Sequence, residues 1–337
     1  VEAFQYGPPN GIKELREIVA EKLLQPKGLP ATAEDVMIVA GGLETMNLIC
    51  QLYIDPGDVI LVEEPTFVHC VEIFEMFQAK CIGVEGDDRG MIMEDLEAKI
   101  KQYKPKIIYT IPTFQNPSGK TLPIERRRKL AELGSQYDVI VLEDDPYREL
   151  RYSGEDLPPI KCFDKTGHTV YANSFSKIFS PGSRLGFVYA SQEIIKKLFD
   201  TKTATNSQTN GIAQVIAAEY FKRGYYEQTL KKAKELYAER RDLMIACIDK
   251  YLPEGTKRVY PDGGLFTWVE LPGDIDTDEL LTEAAKYKVA FVAGAGFFTG
   301  GCGKGKNCMR LSYGNVTPDK IETGMQRLGA LVKAQMK

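Results

Sequence analysis

Short runs rich in β-branched residues alternate with amphipathic stretches through the first half of the chain, and few folds accept that rhythm. Residues 35–39, 58–62, 106–111, 139–142 and 169–172 read as strands, with helical periodicity between most of them. Strands joined through helices run parallel in one sheet, and the helices cover both of its faces. The expected fold class is therefore α/β with a largely parallel sheet. Ligands of such sheets sit beyond the carboxyl ends of the strands, so the residues just after each run are the first candidates for function.

From 224 to 251 the sequence reads as one long helix rich in Lys, Glu and Arg, leading away from the sheet. A smaller α+β part follows, with strands expected at 265–270, 289–292 and 308–313 and helices at 277–288 and 318–334. The expected division is a large domain at 1–225, a connecting helix at 226–252 and a small domain at 253–337. A chain of 337 residues, 43% of them hydrophobic, can fill cores of that size. The net charge of −4, with Lys and Arg interspersed among acids, leaves no basic face for nucleic acid. No apolar stretch approaches the roughly 20 residues that span a bilayer, and no signal pattern opens the chain. Seven scattered cysteines, mostly inside apolar runs, suit reduced thiols of a cytoplasmic protein. Because the chain starts at Val1 rather than Met, native residues are expected to precede it.

The segment Asn173-Ser174-Phe175-Ser176-Lys177-Ile178-Phe179-Ser180-Pro181-Gly182-Ser183-Arg184-Leu185-Gly186 follows the last of the five strand-like runs. It combines hydroxyls, one amine and one guanidinium, a mixture that fits a phosphorylated aldehyde. A lysine near other cations and shielded from water has a lowered pKa and can attack an aldehyde. The serines and Arg184 offer donors to a phosphate. A bare S-x-S-K also describes a serine-rich turn before a surface lysine, so the motif needs its context.

That context is long. The pattern S-F-S-K-x-x-x-P-G-x-R-L-G resembles the fold-type I, class I/II aminotransferases that use pyridoxal 5'-phosphate (PLP). Within them it is similar to the subgroup of aromatic amino acid, 2-aminoadipate and kynurenine aminotransferases. The resemblance spans nearly the whole chain and implies a seven-stranded-type sheet in the large domain. It assigns Lys177 as the lysine that binds the cofactor as a Schiff base, with Ser174, Ser176 and Arg184 at phosphate-binding positions. A second phosphate element is expected at a helix N-terminus, where Val39-Ala40-Gly41-Gly42-Leu43 runs from strand to helix. The family has Gly-Ser-Gln there, so Gly42 and Leu43 can offer backbone donors only.

The resemblance places Asp144 of Asp144-Asp145-Pro146-Tyr147 on the cofactor's ring nitrogen, with Tyr147 and Asn116 on its phenolic oxygen. A carboxylate keeps that nitrogen protonated, which the cofactor's electron-sink chemistry requires. Asn116 sits in Asn116-Pro117-Ser118-Gly119, which alone is a turn signal. Phe67 takes the ring-stacking position, although an aromatic after a strand is often simply core. Tyr6, in Gln5-Tyr6-Gly7-Pro8, matches the tyrosine that reaches the neighbouring subunit's phosphate, implying a homodimer with shared sites. Arg310, in a strand-like run, matches the arginine that grips the substrate carboxylate with two parallel hydrogen bonds; an edge-strand surface arginine is the competing reading.

The implied reaction moves an amino group from an L-amino acid to a 2-oxo acid, 2-oxoglutarate foremost. Two alternatives share the motifs: a PLP-dependent C–S lyase, and the effector domain of a transcriptional regulator whose DNA-binding part lies upstream. Gly294-Ala295-Gly296 opens no βαβ unit, which speaks against a dinucleotide site. His69 and His168 are the only histidines, and Cys302 and Cys308 lack a matching second pair, so no metal is expected.

Overall fold

In the computed structural model, which describes residues 2–301 and 303–336, the alternating half folds into a seven-stranded sheet. Its strands in chain order are β1 (Val36–Val39), β2 (Val59–Glu63) and β3 (Lys80–Val84), then, after a short hairpin of β4 (Gly86–Asp87) and β5 (Gly90–Met91), β6 (Ile107–Thr110), β7 (Ile140–Asp144), β8 (Thr169–Ser174) and β9 (Gly186–Tyr189). The spatial order is β1-β9-β8-β7-β6-β2-β3. All pairings are parallel except those of β9, which runs antiparallel to β1 and to β8.

Burial explains why these strands are continuous apolar runs. Every residue of β1 is buried, with Val36 and Ile38 in the core on one face and Met37 and Val39 in the core on the other. Both faces are covered, so there is no polar alternation to read. The covering helices include α1 (Lys13–Ile18), α2 (Gly42–Tyr53), α3 (Val68–Met76), α4 (Met93–Tyr103), α5 (Ile124–Tyr137), α6 (Gln192–Thr205) and α7 (Gly211–Lys222). The five expected strands form within one or two residues of their expected ends, whereas β3 and β9 had no place in the sequence reading.

The long helix α8 spans Tyr225–Tyr251, capped by Gly224 in the left-handed region (φ 71°), a conformation glycine adopts without a Cβ penalty. Beyond it a four-stranded antiparallel sheet forms from β10 (Lys257–Arg258), β11 (Phe266–Glu270), β12 (Val292–Ala293) and β13 (Cys308–Ser312), in the order β10-β11-β13-β12. Helices α9 (Thr277–Ala284) and α10 (Pro318–Gln335) join the second half of α8 over a separate core around Val269, Met309, Leu328 and Val332. Two expectations need correction. The strand at 289–292 is displaced to β12, because a 3₁₀ turn and Lys288 at φ 53° occupy the preceding residues. The helix at 277–288 ends four residues early, at Ala284, in that same turn.

Among the described residues no helix is long and apolar enough to cross a membrane. The six described cysteines are unpaired. Cys302 lies outside the described residues.

Candidate active site

The carboxyl ends of β2, β6, β7 and β8 and the start of α2 open onto one cleft. At the end of β8, Ser174 caps the turn that carries Lys177, its hydroxyl accepting from the Ser176 amide (3.2 Å) and donating to the Ser176 hydroxyl (3.0 Å). That turn aims the lysine at Tyr147, whose ring centre is 5.9 Å from its Nζ. No carboxylate or carbonyl among the described residues pairs with this Nζ. Burial, then the positive charges of Arg184 and Arg310, push the lysine below the usual amine range. It is thus held toward the neutral, nucleophilic form.

A phosphate-sized cradle adjoins it. Helix α2 begins without a capping side chain, at Gly41 with φ 86° and ψ 168°. Its first amides are left for a ligand, in a place where the helix dipole favours an anion. A Cβ on Gly41 would stand 2.6 Å from a guanidinium nitrogen of Arg184, so glycine is what lets the two approach. A Cβ on Gly42 would lie 3.8 Å from Asp144 Oδ1 and 4.0 Å from Ser174 Cβ. The Leu43 side chain packs on the main core, leaving only its backbone for this role. Arg184 is exposed, and no carboxylate among the described residues lies within ion-pair distance of it. The helix start is anchored from behind by a buried ion pair, Lys202 to Glu44 (2.7 Å), which the sequence reading missed.

Asp144 is buried at the end of β7, and burial pushes its carboxyl up to about 7. Tyr147 and Asn116 are buried beside it, the Asn116 amide donating to the Tyr147 hydroxyl at 3.3 Å. Arg310 donates to Asn116 Oδ1, the side-chain amide oxygen, at 2.8 Å, which carries the second sheet to the cleft. It does not sit on an edge strand, because β13 lies between β11 and β12. Its guanidinium stacks on Phe266 (4.4 Å) and on Phe297 (5.3 Å). The Arg310 Nε is buried with no partner, a donor that a carboxylate would satisfy.

Two expected site residues make no hydrogen bond or ion pair with this cluster. Phe67 precedes α3, half-buried against the main core, with an edge contact to His69 at 5.2 Å. Its neighbour Thr66 donates a backbone bond to Phe297 (2.8 Å), which ties the turn to the wall behind Arg310. Tyr6 is 92% exposed and meets none of the cleft residues within this chain.

The comparisons with known proteins converge with this geometry. Residues 2–328 match the family described as Aminotransferase class I and II. The chain belongs to that family. Aminotransferases among its relatives include the aromatic-amino-acid aminotransferase 1 of Thermococcus litoralis, 40% identical over all of this chain and 81% of the relative. A 2-aminoadipate transaminase of Thermus thermophilus is 32% identical over 98% of this chain and 82% of its own length. The crystal structure of the Pyrococcus horikoshii kynurenine aminotransferase superposes with a TM-score of 0.94 at 39% identity, covering 99% of this chain and 83% of that one. This aminotransferase is PLP-dependent. The residues present fit the cofactor: an uncapped helix start, two hydroxyls and an arginine for its phosphate, a buried carboxylate for its ring and an unpaired amine for its aldehyde.

Proposed function

We propose that this aminotransferase moves the amino group of an aromatic or 2-aminoadipate-like L-amino acid to a 2-oxo acid, 2-oxoglutarate foremost, on PLP bound covalently through Lys177. The observation that carries the reading is Lys177 Nζ itself, desolvated and without a counterion, in the cleft where Arg310 offers an unpartnered donor. Side-chain preference is supported by the relatives' names and by the Phe266 and Phe297 rings beside Arg310, an apolar wall next to a carboxylate grip.

When bound, PLP supplies an aldehyde that takes up amines and a ring that withdraws charge from the substrate α-carbon. The chain's residues do the rest. The start of α2 with Gly42 and Leu43, the hydroxyls of Ser174 and Ser176, and Arg184 hold the phosphate. Asp144 keeps a proton on the ring nitrogen. Asn116 and Tyr147 donate to the phenolic oxygen, and Phe67 covers one ring face. Arg310 orients the substrate by its carboxylate. Lys177 would hold the cofactor through Nζ, and as a free amine the same Nζ would take up the substrate's α-proton and pass it on.

The same reading divides the chain into a large part at 1–225, the connecting helix at 226–252 and a small part at 253–337. It also makes the molecule a homodimer in which Tyr6 reaches the partner's phosphate. Support comes from Tyr6 and Val215 lining one hollow at the start of α7, and from further exposed apolar side chains on that helix and the segment before Tyr6, Ile212, Ile216 and Phe4 (77% exposed). The cytoplasm is the proposed compartment, on the unpaired thiols.

A panel of amino acids with 2-oxoglutarate as acceptor tests the chemistry. Glutamate should accumulate with aromatic amino acids, kynurenine and 2-aminoadipate as donors. Absence of glutamate, with release of ammonia and pyruvate from cysteine conjugates, would assign a lyase instead.

A further inference from the structure

Tyr109 lies in β6, one strand from Asp144, and is fully buried. Its ring stands edge-on to Phe74 of α3, with centres 5.5 Å apart at 73°. A buried phenol requires a hydrogen-bond partner. Its hydroxyl donates to Asp144 Oδ2 at 3.0 Å. The other carboxylate oxygen, Oδ1, is the one turned toward Gly42 at the start of α2, on the cleft side. The two oxygens of Asp144 are therefore divided, one held from inside the sheet and one presented to the cleft.

The surroundings of Asp144 otherwise oppose its charge. Facing it are Cys70 from α3, Glu63 from the end of β2, and Asp145 and Tyr147 from its own segment. None of these is a cation, and two are acids. Among the described residues Tyr109 is the side chain that favours the ionised carboxylate, by donating to it. Burial pushes the Tyr109 phenol well above its ordinary range, so it remains a donor at any working pH.

We propose that Tyr109 is a positioning residue: its hydroxyl orients Asp144 and sustains its negative charge, so that Oδ1 can pair with the protonated ring nitrogen of PLP. The inference rests on Asp144 being the ring-nitrogen partner. It adds the reason a carboxylate in so apolar a place can serve. No motif pointed to Tyr109, because a tyrosine inside an apolar strand reads as core.

The test is Tyr109→Phe in the full chain, which keeps the ring against Phe74 and removes only the donor. Affinity of the apoprotein for PLP, followed by absorbance titration, should fall three- to tenfold. The pH at which the bound cofactor's visible absorbance titrates should rise by half a unit or more, since a ring nitrogen with a weaker partner withdraws less charge. The kcat should fall about tenfold while the KM for the amino acid stays within twofold, because Arg310 is untouched. Unchanged cofactor affinity and an unchanged pH titration overturn the proposal, as does a variant that melts earlier with that titration intact. A parallel Asp144→Asn variant separates the two ideas: if it binds PLP and turns over normally, the reading of Asp144 itself is wrong.

Discussion

Arg310 shows how one residue gathers a site from two sheets. Its strand lies in the second sheet, its Nη1 bonds Asn116 in the loop after β6 of the first, and its Nε awaits a partner. A carboxylate bound there by a charged, bidentate pair is worth on the order of 2–3 kcal/mol. Arg310→Gln should therefore raise the KM for the amino donor about 30- to 100-fold, read from initial rates, while cofactor affinity changes little. Asp144 makes a pH-dependent counterpart. Its carboxyl is raised to about 7 and that of Glu63 to about 8, both above their unfolded values. Groups raised in this way contribute stability that is fully present below about pH 4 and is lost as pH climbs through 7 and 8. The apoprotein should accordingly melt at lower temperature at pH 8 than at pH 5.5. PLP should narrow that difference, because a protonated ring nitrogen lowers the Asp144 carboxyl again; a holoenzyme that loses as much as the apoprotein would argue against the pair.

At the scale of elements, α2 is the piece on which phosphate binding turns. Its start combines a left-handed glycine, the Arg184 guanidinium and, behind them, the buried Lys202–Glu44 pair. Gly41→Ala would place a methyl against Arg184 and force a residue with a side chain into φ 86°. The conformational cost alone is about 1–3 kcal/mol, because φ 86° with ψ 168° is a region that essentially only glycine occupies. PLP affinity should drop at least tenfold by apoprotein titration, with the far-ultraviolet circular dichroism unchanged. Lys202→Met leaves the partly buried Glu44 carboxylate without its cation, though still bonded by Ala40 and Asn206, and should cost about 1–3 kcal/mol in urea unfolding. The strands were legible where burial on both faces made them apolar runs. Strand β3 escaped because Lys80-Cys81-Ile82-Gly83-Val84 is only partly buried at the sheet's edge, with a glycine whose missing Cβ makes room for the Glu64 carboxylate. Strand β9 escaped because Gly186–Tyr189 follows the lysine segment with only short 3₁₀ turns and no α-helix between, breaking the alternation that betrayed its neighbours. Residues 289–292 were apolar enough to suggest a strand, yet the left-handed turn at Lys288 delayed it.

For the whole molecule, the lysine segment and the glycines before α2 declare themselves through unusual composition at strand ends. What sequence could not show is contact across the fold: Tyr109 on Asp144, Lys202 under Glu44, and the Phe266 and Phe297 rings against Arg310. Each pairs residues far apart in the chain, and each looks like ordinary core or surface in its own segment. Assembly belongs to this scale as well. Ile216, 55% exposed in α7 beside the segment of Tyr6, should be covered in a dimer. Ile216→Glu should shift sedimentation from dimer to monomer and lower activity with it; a fully active monomer would show that the sites are not shared. Whether Lys177 carries the cofactor is read by borohydride reduction of the holoenzyme followed by peptide mass spectrometry. The phosphopyridoxyl group should be found on Lys177 and be absent from Lys177→Ala, whereas its recovery on another lysine, or persistence in that variant, would show that Lys177 is not the lysine that holds PLP.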